Sequence, residues 1–218
     1  MALARPLFVG FSGASKVARE GGDLEVTVQT ARGPRTFTLP WFFVRDVDAL
    51  LERWRREEHE ARLLTMNGGV LGATLCEAAA AGGVRDTTFL LSRGTDVEYK
   101  HERLTALSWA AYYGRLAVVA LLLDSGAAEL GKALHSSVVL EGHTPVAALL
   151  LDRGADVHYL DDLPLGISAR NGFLETVRLL LDRGANLHAQ NDKALHWARR
   201  FGHEDVVALL LERGAVDM

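Results

Sequence analysis

The chain has 218 residues, 49% of them hydrophobic, 24% charged and 7% aromatic, with a formal net charge of −4. That length buries a sizeable core as one large domain or two small ones, and the composition excludes wholesale disorder, collagen and a bare coiled coil. One cysteine, Cys76, rules out a disulfide framework and a multi-cysteine zinc site, while the mild acidity argues against nonspecific binding to nucleic acid or anionic membranes.

The opening residues, MALARPLFVGFSGASK, hold an apolar patch from Leu7 to Phe11 that Gly10 interrupts, too short for the core of a signal peptide. No apolar run approaches the roughly eighteen residues a spanning helix needs. With its single cysteine, which suits a reducing compartment, the chain reads as soluble and cytoplasmic. The stretch Gly10 to Lys16 invites comparison with a phosphate loop, but Ser15 and Val17 stand where that loop needs Gly and then Ser or Thr. A nucleophile elbow would need Gly in place of Ala14. A glycine-rich turn is the better account.

Strand chemistry follows. In LEVTVQT, Leu24, Val26 and Val28 alternate with Glu25, Thr27 and Gln29; after Ala31-Arg32-Gly33-Pro34, Phe37 and Leu39 alternate with Thr36 and Thr38. This predicts a β-hairpin with a four- or five-residue loop. A helix is expected from Asp46, with Val47, Leu50, Leu51 and Trp54 on one face and the charged run Arg55 to Arg62 as its solvated continuation. The strand, turn, strand, helix order of residues 23–54 is similar to the opening of BTB or Skp1-like folds, adaptors of ubiquitin ligases, although the segment is much shorter than a full domain of that kind.

From residue 70 onward the chain repeats itself. FLLSRGTDVE, ALLLDSGAAE, ALLLDRGADVH, RLLLDRGANLH and ALLLERGAVD place glycines at Gly94, Gly126, Gly154, Gly184 and Gly214, spaced by 32, 28, 30 and 30 residues. A leucine lies 19 residues before four of them, at Leu75, Leu107, Leu165 and Leu195; in the third unit Leu134 lies 20 before. A second glycine follows the leucine by seven residues at Gly82, Gly114, Gly172 and Gly202, and by eight at Gly142. Each unit reads as two short helices joined at that glycine. Neither helix buries its apolar face alone, so the units must stack into a solenoid. The extra residue of unit three predicts a widened turn in HSSVVLEGH.

The pattern A-L-H-x-A-x-x-x-G-H-x-x-V-V-x-L-L-L-x-x-G-A resembles the ankyrin repeat, over roughly residues 70–218. The resemblance implies a mainly α, ankyrin-repeat solenoid of five helix-turn-helix units with a concave face that holds a protein partner. Units shorter than the family's usual 33 residues imply shortened β-hairpin fingers, with almost none between Gly126 and Leu134. Residues 1–65, a small α/β element, are expected to cap the array by docking on the small-residue surface of CEAAAA, Cys76 to Ala81.

Periodic placement explains six of eight histidines, His135, His196, His143, His203, His158 and His188, without a metal. Cys76 occupies the histidine position of its repeat and pairs with no readable base, so it is expected in the core, as are Trp109 and Trp197. No catalytic constellation, metal site or cofactor motif is legible. The positions that escape the repeat are the candidate partner contacts. Just before the turn glycines stand Tyr112 and Tyr113, Leu140 and Glu141, Arg170 and Asn171, and Arg200 and Phe201, of which Tyr, Arg and Phe are types enriched at interfaces. Finger positions add Tyr99, His101 and Tyr159. The expectation is a monomeric, non-enzymatic module that binds protein, not nucleic acid or membrane; the alternative is a ubiquitin-ligase substrate adaptor recruiting through its N-terminal element.

Overall fold

A computed structural model of the chain describes residues 14–20, 23–30, 33–40 and 68–216. The chain divides into two compact units, residues 1–64 and 65–218. In the first, strands β1 (Ala14–Glu20), β2 (Asp23–Thr30) and β3 (Gly33–Pro40) form an antiparallel sheet in that order. The expected hairpin is β2 and β3, but a third strand precedes it. Ala14, Ser15 and Lys16, read as part of a turn, belong to that strand, with a register irregularity between Ala14 and Lys16. The loop is also tighter than expected: the ladder closes on Thr30 opposite Gly33, leaving two residues between them. Pro34 and Pro40 sit in the edge strand, where a missing N–H costs no ladder bond on the open side. The expected helix from Asp46 and the charged run Arg55 to Arg62 lie outside the described residues.

The second unit is mainly helical, with ten helices among the described residues. They pair as α1 (Gly68–Ala81) with α2 (Val84–Ser92), α3 (Ala106–Tyr112) with α4 (Leu116–Asp124), α5 (Leu130–Ser137) with α6 (Thr144–Asp152), α7 (Tyr159–Asn171) with α8 (Leu174–Asp182), and α9 (Ala189–Phe201) with α10 (Glu204–Glu212). Each pair contributes the same two leucines to the core. Leu75, Leu107, Leu134, Leu165 and Leu195 come from the first helices, and Leu90, Leu122, Leu150, Leu180 and Leu210 from the second; all are buried. Successive first helices pack more closely than successive second helices, so the first row forms the inner side of the stack.

Both repeated glycines close helices. At the outer ends the Ala127 N–H donates to Leu122 O at 3.0 Å, and Ala155, Ala185 and Ala215 repeat this to Leu150, Leu180 and Leu210. Those bonds need the preceding glycine in the left-handed region, and Gly126, Gly154, Gly184 and Gly214 have φ between 91° and 100°. At the inner turns the N–H following the glycine reaches back five residues, as Arg115 does to Ala110 O, Phe173 to Ser168 O and His203 to Ala198 O. In unit three it reaches back six, from His143 to Ser137 O at 2.9 Å. Helix α5 ends at Ser137, and the extra residue is absorbed in a widened turn, as the eight-residue spacing predicts.

The fingers are short. Between units one and two, β4 (Lys100–His101) and β5 (Leu104–Thr105) form a hairpin whose turn residues, Glu102 and Arg103, have φ of 51° and 70°. Between units two and three there is none: α5 begins four residues after Gly126. The remaining two fingers are single left-handed turns, Leu160–Asp162 and Gln190–Asp192, at the start of α7 and α9. Non-glycine residues resist this conformation. Here an aspartate secures each turn: Asp162 accepts from the Asn186 N–H at 2.8 Å and faces His158 Nδ1 at 3.2 Å, and Asp192 faces His188 Nδ1 at 2.8 Å.

Candidate partner-binding face

The inner helices end in the residues singled out for partner contact, and the stack sorts them into three groups. In unit two Tyr112 and Tyr113 stand edge to face with ring centroids 5.1 Å apart, and Trp109 stacks on Tyr113 at 6.1 Å. Tyr113 is 41% exposed. The spacing of four residues puts Trp109 and Tyr113 on one helix face. Trp109, expected in the core, is half-buried, with its indole N–H donating to His101 O at 3.3 Å. In unit three the widened turn presents Leu140, 47% exposed, beside the exposed Glu141.

The third group joins units four and five. The Arg170 guanidinium lies over the Phe201 ring, 5.1 Å from its centroid, and Phe201 is 48% exposed. The Arg170 backbone is fixed separately, since its carbonyl faces His203 Nε2 at 2.9 Å. Arg200 is exposed. Asn171 is occupied otherwise: its side-chain amide donates to Val139 O at 3.1 Å and so holds the irregular turn of unit three. Trp197 is likewise half-buried rather than enclosed, with the Lys193 ammonium 4.4 Å above its ring.

The finger candidates make other contacts, and only the His101 backbone touches one of these groups. Tyr99 lays its ring over Gly72 of α1, and Tyr159 lays its ring over Gly131 of α5; a methyl group at either glycine would stand within 2.4 Å of a ring atom. His101 is half-buried and offers its carbonyl to Trp109. The tip of the fourth unit's finger exposes Leu160 instead, at 60%.

On the outer side a ladder of ion pairs runs between units. Arg153 reaches Asp124 at 2.8 Å, Arg183 reaches Asp152 at 2.8 Å, and Arg213 reaches Asp182 at 2.9 Å. Sequence reading missed it, although the recurring D-R-G and E-R-G at the helix ends carry its signal.

Cys76 is buried at 1% exposure, with its Sγ 3.8 Å from Tyr99 O. Burial pushes its thiol up to about 11, a backbone hydrogen bond opposing the rise and Glu77 adding to it, which disfavours the thiolate near neutral pH. Among the described residues no three His, Cys, Asp or Glu side chains are placed to share a metal ion, and no helix is long and apolar enough to cross a membrane.

A family model of ankyrin repeats, in three copies, matches residues 75–161 and again 160–218. The chain belongs to the ankyrin-repeat family. No curated protein matches it. Ankyrin repeats mark a protein–protein interaction module of a family that is typically non-enzymatic. In this ankyrin array the turn glycines are also the sites of stacking. A Cβ at Gly114 would meet the His143 ring at 2.4 Å, and one at Gly172 would meet His203 at 2.4 Å. The histidines after the turns are thus packing residues between ankyrin units.

Proposed function

We propose that the protein is a non-enzymatic, monomeric cytoplasmic module that holds a protein partner on the inner face of its ankyrin array. Residues 70–218 form the binding domain and residues 1–65 its N-terminal cap. Tyr112, Tyr113, Arg170, Arg200 and Phe201 serve as anchors, with Asn171 holding the turn beside them and Tyr99, His101 and Tyr159 bracing the edge. The observation that carries this reading is the exposure of Tyr113, Leu140 and Phe201 in one row, where the repeat itself demands no apolar side chain. The test is a triple substitution, Tyr112→Ala with Arg170→Ala and Phe201→Ala. It should leave the helical fold intact and abolish capture of the native partner, since truncations of this kind commonly cost about 2 kcal/mol or more each. Leu122→Ala, at a fully buried repeat position, should instead cost about 2–5 kcal/mol of stability. A folded triple variant that captures its partner normally refutes the inner-face assignment.

The separate compactness of residues 1–64 favours a second reading. In it the N-terminal element recruits a ubiquitin-ligase machine while the repeats hold the substrate. Capture of ligase subunits by residues 1–65 alone would support it.

A further inference from the structure

We infer that the inner face takes an extended acidic segment of the protein partner, with its carboxylates on Arg170 and Arg200 and its apolar end on Trp109, Tyr112 and Tyr113. This rests on the reading of the inner face as the working surface. The arginines of the array fall into contrasting sets. At the outer helix ends Arg153, Arg183 and Arg213 are each neutralised by an aspartate of the preceding unit. On the inner face Arg170 and Arg200 are exposed, and neither meets a carboxylate among the described residues. Lys193, over Trp197, adds a third positive charge to the same end. A guanidinium left unpaired in a chain of net charge −4 presents a two-pronged donor that matches a carboxylate.

The other end of the row differs. Before their turn glycines, units two and three offer Tyr112, Tyr113 and Leu140, with no Lys or Arg among them. Glu141, exposed between the two ends, repels an acidic group there. The surface therefore sorts a partner along its length, apolar residues over units two and three and Asp or Glu over units four and five. Three steps of about 10 Å between helices give about 30 Å, the length of roughly nine extended residues. A nucleic acid fits less well. Its evenly spaced phosphates would meet Glu141, and two arginines release few counterions.

The test selects phage-displayed dodecapeptides on the full chain and measures the winners by fluorescence anisotropy. Expected winners carry clustered Asp or Glu beside an apolar residue. Their affinity should fall about tenfold for each of Arg170→Gln and Arg200→Gln, and should weaken from about 50 to about 500 mM salt. Arg153→Gln, on the outer ladder, should change nothing, and melting of the inner-face variants should match the parent because both side chains are exposed. Winners without acidic bias, lost with Tyr112→Ala and Phe201→Ala, overturn the acidic inference and leave the inner face standing. Winners indifferent to every inner-face substitution overturn both, as does the absence of winners. A polyuridine oligonucleotide bound as tightly as the peptides, and lost with the same two arginines, overturns the inference in favour of RNA.

Discussion

Gly72 lies in the middle of α1, where alanine would ordinarily stabilise a helix by about 1 kcal/mol. Here the same substitution should destabilise. A Cβ at position 72 would stand 2.3 Å from Tyr99 Cγ and 2.6 Å from both Cδ atoms, far inside the roughly 3.5–4.0 Å of normal contact. The ring cannot swing away cheaply, because the Tyr99 N–H is bonded to Asp96 O at 3.2 Å, which fixes the finger that carries it. Overpacking of this kind costs about 1–3 kcal/mol. Gly72→Ala should therefore lose up to about 2 kcal/mol net.

In a Tyr99→Ala background the obstacle is gone, and Gly72→Ala should gain about 1 kcal/mol. The sign of one substitution thus reverses with the identity of a residue 27 positions away. Urea unfolding of the full chain, the two single variants and the double variant, followed by circular dichroism, gives the coupling directly. It should be about 1–3 kcal/mol. A coupling below about 0.5 kcal/mol would refute the wedge and return Tyr99 to the partner-contact set.

Other outcomes follow from single side chains. Burial lowers the His135 pKa, so the unfolded chain takes up a proton the folded chain resists: this contribution is intact above about pH 6.5 and is lost as pH falls below it toward the lowered folded value. Unfolding free energy measured from about pH 7.5 to 5.5 should fall less steeply in His135→Gln; equal slopes would count against burial as the cause. Cys76, buried with its thiol held up to about 11, should react with a thiol reagent near neutral pH only as fast as the array opens, and fast labelling of folded protein would contradict its placement. Arg183→Gln should cost less than about 1 kcal/mol, vanishing in high salt, because its partner Asp152 is largely exposed; a loss of several kcal/mol would show that the ladder holds the stack together.

The core was legible because each unit buries the same leucines, so one physical requirement was written five times. The widened turn of unit three was legible for the same reason, since eight residues between Leu134 and Gly142 break a spacing of seven. Strand β1 was not: among Lys16, Val17, Ala18 and Arg19 only Val17 is β-branched, and its pairing with Val26 depends on a neighbour. The left-handed turn at Leu160–Asp162 was hidden too, because its stability comes from bonds of Asp162 to His158 and Asn186 rather than from the turn residues' own preferences. The glycine wedges escaped because nothing in the local sequence of Gly72 or Gly131 shows that each makes room for a tyrosine of the following finger.

Residue type alone therefore misleads in a stacked array. Tyr99 and Tyr113 are both interface-type side chains, yet one fills a gap left by Gly72 and the other lies open on the inner row. Arg183 and Arg200 are both exposed, yet one is met by an aspartate of the preceding unit and the other by no carboxylate among the described residues. Within each pair, the side chain with a built-in partner is already spent on stacking. Stacking partners recur with the repeat because every unit must dock on the one before it. Tyr113 stacks on Trp109 and Tyr112 within its own unit yet stays 41% exposed, and an external segment is what would engage that face and the Arg200 guanidinium.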